Sequence, residues 1–144
     1  KECLDKYVFF HDRMGSKELE GLYKNSHIGV SSLALDRMNL DYATPLKSRE
    51  FLAYGLPVIY AYEDPSLKGF EFALKLDKNN IDIESIINFT KKIMKKYNKY
   101  DISIKSREQL NWNREVKKIL IICNQLKNPN NYWVKFFQNP ELYK

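Results

Sequence analysis

Residues 44–60 confine this chain to a small set of folds. Thr44 is a favourable helix N-cap, Pro45 suits the first helical position, where its missing N–H costs nothing, and Gly55 can take the left-handed conformation that stops a helix. Pro57 blocks resumption of the helix, and Val58-Ile59-Tyr60 has the β-branched and aromatic character of a strand. The stretch therefore reads as loop, helix of about ten residues, tight turn and buried parallel strand. The positive end of so short a helix lies close to any anion resting on the loop before it. Glu50 sits inside that helix. A Gly-x-Pro-Val turn is common in parallel sheets, and on the plainest account Thr44, Pro45 and Gly55 are only caps and Glu50 is solvated.

The flanking segments keep an α/β rhythm. Tyr7-Val8-Phe9-Phe10 predicts a strand buried on both faces, with His11 to Gly15 as the loop at its carboxyl end. Ser16 is placed to cap a helix carrying Leu19, Leu22 and Tyr23 on one face, and His27 to Ser32 reads as the next strand. Glu71 to Leu76 predicts a further strand. Residues 82–98 predict an amphipathic helix capped by Asp82, with Ile83, Ile86, Ile87, Thr90, Ile93, Met94 and Tyr97 on its apolar face. Residues 103–126 read as one bent helix or two consecutive ones, because Asn111 and Asn113 interrupt good helix formers around Trp112. The expected architecture is a Rossmann-like parallel sheet flanked by helices over residues 1–127. An aromatic-rich extension, 128–144, packs through Tyr132, Trp133, Phe136 and Phe137, either closing this core or covering a surface that a partner domain supplies.

Glu50-Phe51-Leu52-Ala53-Tyr54-Gly55-Leu56-Pro57-Val58-Ile59, taken with residues 7–33, resembles the signature of retaining glycosyltransferases of the glycosyltransferase-B fold, the family-4 or group-1 kind. There, Glu, seven residues and Glu precede an Ala-x-Gly-x-Pro-Val turn and strand. The resemblance covers roughly residues 7–126 and implies the later strands of the family's C-terminal, donor-binding domain, a partial Rossmann-like fold. It implies that Glu50 holds the ribose hydroxyls of a nucleoside-diphosphate sugar, and that Thr44, Leu46 and Lys47 lie where loop and helix N–H groups meet the donor. Arg13 and Met14 would border the nucleobase, and Ser31 and Ser32 the mouth of the pocket. Eight positions before Glu50, where the family has a Glu near the reacting carbon, this chain has Tyr42, with Asp41 beside it. Either side chain could serve there, or the domain binds without turnover.

The resemblance further implies retaining transfer of a sugar to an acceptor hydroxyl, as in polysaccharide or glycolipid synthesis, with no metal and no cofactor besides the donor. The acceptor-binding N-terminal domain and the first strands of the donor domain are then missing partners, and this piece alone is expected to be inactive. A sheet lacking those strands has a gap in the middle of the usual order, so either the order closes up, a second copy fills the edge or the fragment is metastable, and self-association through the exposed edge is expected. The alternative from another class is a non-catalytic nucleotide-sugar-binding or protein-interaction module.

Composition sets the outer limits. The 144 residues, 44% hydrophobic and 14% aromatic, suffice for a core and exclude a disordered segment. A net charge of +6 suits an anionic ligand and nucleic acid alike. Against nucleic acid, the lysines cluster on one late helix, and there is neither zinc-ligand spacing nor an RNA-binding aromatic strand motif. Lys91, Lys92, Lys95 and Lys96 form a solvated face or are attracted to an anionic membrane bearing a lipid-linked acceptor. Arg13 suits a base or a phosphate, whereas His11 and His27 read as packed or capping residues. Cys3 and Cys123 lie far apart and outside any Cys-x-x-Cys, which fits free thiols in a cytoplasmic protein. No apolar run approaches the ~20 residues needed to span a bilayer. The glycine-rich dinucleotide, phosphate-loop and serine-esterase motifs are absent from the sequence.

Overall fold

The computed structural model describes residues 6–127. Cys3 and the aromatic extension, residues 128–144, lie outside them. The chain divides into two compact units, Lys1–Arg107 and Glu108–Lys144. The first holds α1 (Ser16–Asn25), β1 (Gly29–Val30), a 3-10 turn (Leu35–Met38), α2 (Leu46–Ala53), β2 (Val58–Tyr60), β3 (Ala73–Lys75) and α3 (Ile83–Lys96), and most of α4 (Lys99–Gln109). The second contains α5 (Trp112–Lys127). The helices on either side of Asn111 are thus two, and the Asn111 side chain accepts the Asn113 N–H at 2.8 Å where they part.

The sheet is three-stranded and parallel throughout, in the order β1-β2-β3. Val58 pairs with Gly29 on one side and with Ala73 on the other, so β2 is central and all three of its residues are buried. Parallel strands covered on both faces read as continuous apolar runs, which is what Val58-Ile59-Tyr60 supplies. Ile59 and Ala61 form one face of the core with Leu76, against Ile86 and Phe89 of α3. The three strands are neighbours in chain order, and residues 7–10, expected as a further strand ahead of them, add none.

Residues 7–10 correct the sequence reading. They form no strand, and Phe10 is 94% exposed, with Tyr7 and Phe9 also open to solvent. An apolar run becomes a buried strand only where a neighbour offers a hydrogen-bonding edge, and the sheet takes no strand beyond β1 among the described residues. Two caps also shift. Gly15, not Ser16, precedes α1, and the Glu18 carboxylate reaches back to its N–H at 2.8 Å. Pro45, not Thr44, occupies the N-cap of α2, which therefore has no side-chain cap. Asp82 does cap α3, accepting the Glu84 N–H at 2.9 Å.

The turn from α2 into β2 follows the sequence closely. Gly55 has φ of 76°, the Leu56 N–H bonds the Phe51 carbonyl at 2.9 Å, and the Gly55 N–H bonds the Leu52 carbonyl at 3.0 Å. These are the two bonds of a Schellman motif. A Cβ on Gly55 would stand 2.1 Å from the Lys99 carbonyl oxygen at the start of α4. Lys99 in turn closes the other end of α1, its ammonium donating to the carbonyls of Tyr23, Lys24 and Ser26 at 2.5–2.9 Å.

One substitution should therefore act with opposite sign at two glycines. Gly55→Ala meets both a left-handed φ and a backbone oxygen, and is expected to cost about 2–3 kcal/mol. Gly21→Ala, inside α1 with no atom within 4 Å of the added methyl group, is expected to stabilise by about 0.5–1 kcal/mol. Urea unfolding of both variants checks the pair.

Candidate functional site

Helix α2 is only eight residues long, too short to persist on its own, so tertiary anchors must hold it. Two consecutive side chains supply them. The Ser48 hydroxyl lies 2.8 Å from that of Ser31, at the carboxyl end of β1, and 2.7 Å from that of Tyr62, just past β2. Ser31 and Tyr62 close the ring at 2.9 Å. All three are buried, and each hydroxyl can donate once and accept once, so the ring satisfies itself without water. Arg49 makes a bidentate fork onto Asp64, Nη1 to Oδ2 at 2.6 Å and Nη2 to Oδ1 at 2.9 Å, and also donates to the Pro45 carbonyl and to Ser66.

The Asp64 side chain is fully buried and that of Arg49 is 23% exposed. Burial alone would push the Asp64 carboxyl up, but hydrogen bonds from Arg49 and Ser66, with the Arg49 charge, outweigh it and hold the group below the usual carboxylate range. Burial, with the charge of Asp64 nearby, pushes the Tyr60 hydroxyl up to about 12. The turn after β2 is thereby fastened to the first half of α2. The residues just ahead of the anchors stay open: Leu46 is 74% exposed, and Thr44 and Lys47 are exposed too. The Lys47 ammonium lies 5.5 Å from the Phe51 ring centre, folded along the helix.

A cavity of about 500 Å³ opens beside this unit, at the carboxyl ends of β2 and β3. Leu40, Ala61 and Leu76 give it apolar surface, and Asp36, Asp41, Glu63 and Asp77 surround them with Lys75 and Lys78. Lys75 pairs with Glu63, and Lys78 with Asp41 at 3.3 Å. The loop bearing Asp41 and Tyr42 is tied to the extension of β2 by a parallel bridge, the Glu63 N–H reaching the Asp41 carbonyl at 2.7 Å and the Ala43 N–H the Glu63 carbonyl at 3.1 Å. Tyr42, 73% exposed, lines the cavity.

The structure distributes the residues named from sequence over distinct places. Asp41 and Tyr42 face the cavity, whereas Thr44, Leu46 and Lys47 gather at the open end of α2. Ser31 is a buried support in the hydroxyl ring, and the Ser32 carbonyl accepts the Ala61 N–H. Glu50 is exposed on the flank of α2 toward Tyr23, whose hydroxyl is pushed up by burial and then by the Glu50 charge; it does not line the cavity. Arg13 is exposed and Met14 half-buried in the loop before α1. Ser48, Arg49, Tyr62 and Asp64 went unnoticed in the sequence. Arg49 and Asp64 stand fifteen positions apart, a spacing that carries no local signal.

Comparison with protein-family models, with curated proteins and with solved structures found no match. Among the described residues no His, Cys, Asp and Glu side chains group to hold a metal ion, and no helix is long and apolar enough to cross a membrane.

The fork gives stability a specific pH dependence. Asp64 has a lowered pKa in the fold, so its contribution is present above the ordinary Asp value of about 4 and is lost as pH falls through the folded value. Arg49→Met leaves a buried carboxylate without its cation and is expected to cost about 3 kcal/mol at pH 7. Since protonation relieves that variant and harms the parent, the difference between them should narrow from pH 7 to pH 3 in urea melts.

Proposed function

We propose that this chain is the donor-binding part of a retaining glycosyltransferase of the glycosyltransferase-B fold, and that the diphosphate of a nucleoside-diphosphate sugar docks at the amino end of α2. One observation carries the reading. The first two residues of α2, Leu46 and Lys47, are exposed and the helix has no side-chain cap, while Ser48 and Arg49 immediately behind them are locked to β1, Tyr62 and Asp64. Uncapped N–H groups at a helix start carry partial positive charge and favour an anion. Holding them fixed beforehand removes the ordering cost that binding would otherwise carry.

The sheet order supports α2 over the cavity as the place for the diphosphate. Ligands of open parallel sheets bind at carboxyl ends where the strand order reverses. No reversal falls between β1, β2 and β3, which run in sequence; in the doubly wound fold that the reading implies, the reversal lies on the β1 side, the strand that Ser48 reaches through Ser31. The N–H groups of Leu46 and Lys47 then face the diphosphate, the Lys47 ammonium swings away from the Phe51 ring to join them, and together they stabilise charge that builds on it as the sugar leaves for an acceptor hydroxyl. Glu50, exposed one turn further along α2, is the residue for the ribose.

A second reading, a nucleotide-sugar-binding module without turnover, is favoured by the loop before α2. Tyr42 stands where the family has a carboxylate, and the neighbouring Asp41 is engaged by Lys78. Donor hydrolysis by the full-length protein distinguishes the two.

Calorimetric titration with uridine, guanosine and adenosine diphosphates, and with pyrophosphate, tests the placement. Lys47→Ala should weaken all of them about three- to tenfold. Glu50→Ala should weaken the nucleotides only, leaving pyrophosphate unchanged. Equal affinities for the parent and both variants would remove the site from α2.

A further inference from the structure

Helix α3 does not bury the whole of its apolar face. Ile86, Phe89 and Ile93 point to the core, but Ile83 is 60% exposed and Ile87 46%. Stepping by four from Ile83 gives Ile87, Lys91 and Lys95, so two exposed isoleucines continue into two exposed lysines along one stripe of the helix surface. Ile81, just before the cap, is 41% exposed, and Lys92 lies beside the stripe. Lys96 pairs with Glu71, but no carboxylate pairs with Lys91, Lys92 or Lys95 among the described residues. Glu84 is the acidic group on that side of the helix, against these three cations.

We propose that this face of α3 docks on an anionic lipid bilayer, the isoleucines entering the headgroup boundary and the lysines meeting the lipid phosphates. Charge and apolar exposure together select this occupant. A nucleic-acid backbone would use the lysines but gains little from Ile83 and Ile87, whereas an interfacial helix needs both kinds of side chain side by side. The ordinary cost of leaving isoleucine in water is also removed only by an apolar partner, and a bilayer supplies one without shape-matched pockets. Lysines near an anionic surface each add attraction that salt screens, while the apolar contribution persists in salt.

Co-sedimentation of the full chain with phosphatidylcholine vesicles, with and without phosphatidylglycerol, tests this. Binding is expected only with the anionic lipid. Lys91→Glu with Lys95→Glu should weaken it by about tenfold or more. Ile83→Ser with Ile87→Ser should weaken it by about tenfold even in raised salt. All four side chains are exposed, so the fold should survive, and Lys91→Gln with Lys95→Gln gives a milder second variant; circular dichroism checks each. Vesicle binding unchanged by either double substitution would overturn the proposal, as would equal binding to neutral vesicles. Polynucleotide binding that responds to the lysines alone, without vesicle binding, would assign the face to nucleic acid instead.

Discussion

The Arg49 fork onto Asp64 is the contact on which the rest of the first unit turns. It joins the middle of a helix too short to stand alone to the turn that follows the central strand. A carboxylate buried to the extent of Asp64 persists only beside a matched cation, and a guanidinium meets it with two parallel bonds that fix direction as well as distance. With that turn fixed, Tyr62 stands where its hydroxyl can close a ring with Ser31 and Ser48, and Glu63 where its backbone receives the loop carrying Asp41 to Ala43. The open end of α2 lies just ahead of this fork and of the hydroxyl ring beside it.

What could be read from the sequence was what depends on neighbours a few residues away. The stop at Gly55, the strand at Val58 to Tyr60 and the Asp82 cap follow from local conformational preference, and the structure has each of them. Thr44 failed as a cap because Pro45 is itself extended at φ −62° and ψ 135°, which starts the helix one residue later. Tyr7 to Phe10 failed as a strand because composition reports an appetite for burial without saying whether a sheet edge is offered. The division of α3 into a buried row and an exposed row was hidden for a related reason. Ile83 and Ile87 share the apolar arc with Ile86 and Ile93, but the sheet covers only part of that arc.

The candidate site was legible in its first layer and hidden in its second. Residues 44–50 stood out because a proline-started helix with a carboxylate inside it has a recognisable order. Ser48, Arg49, Tyr62 and Asp64 carry no such order, since their meaning lies in contacts that cross from helix to strand end. On the proposed reading the two layers divide the work: exposed residues at the start of α2 receive an anion, and buried ones keep that start from moving. The proposed bilayer contact of α3 would bring the same domain to an anionic interface.

Backbone amide shifts during a pyrophosphate titration decide whether the start of α2 receives an anion. Docking there gives saturable changes concentrated at Leu46 and Lys47, with Ser48 following and the α3 amides little affected. Changes centred on Lys91 to Lys95, or none at the start of α2, would contradict it.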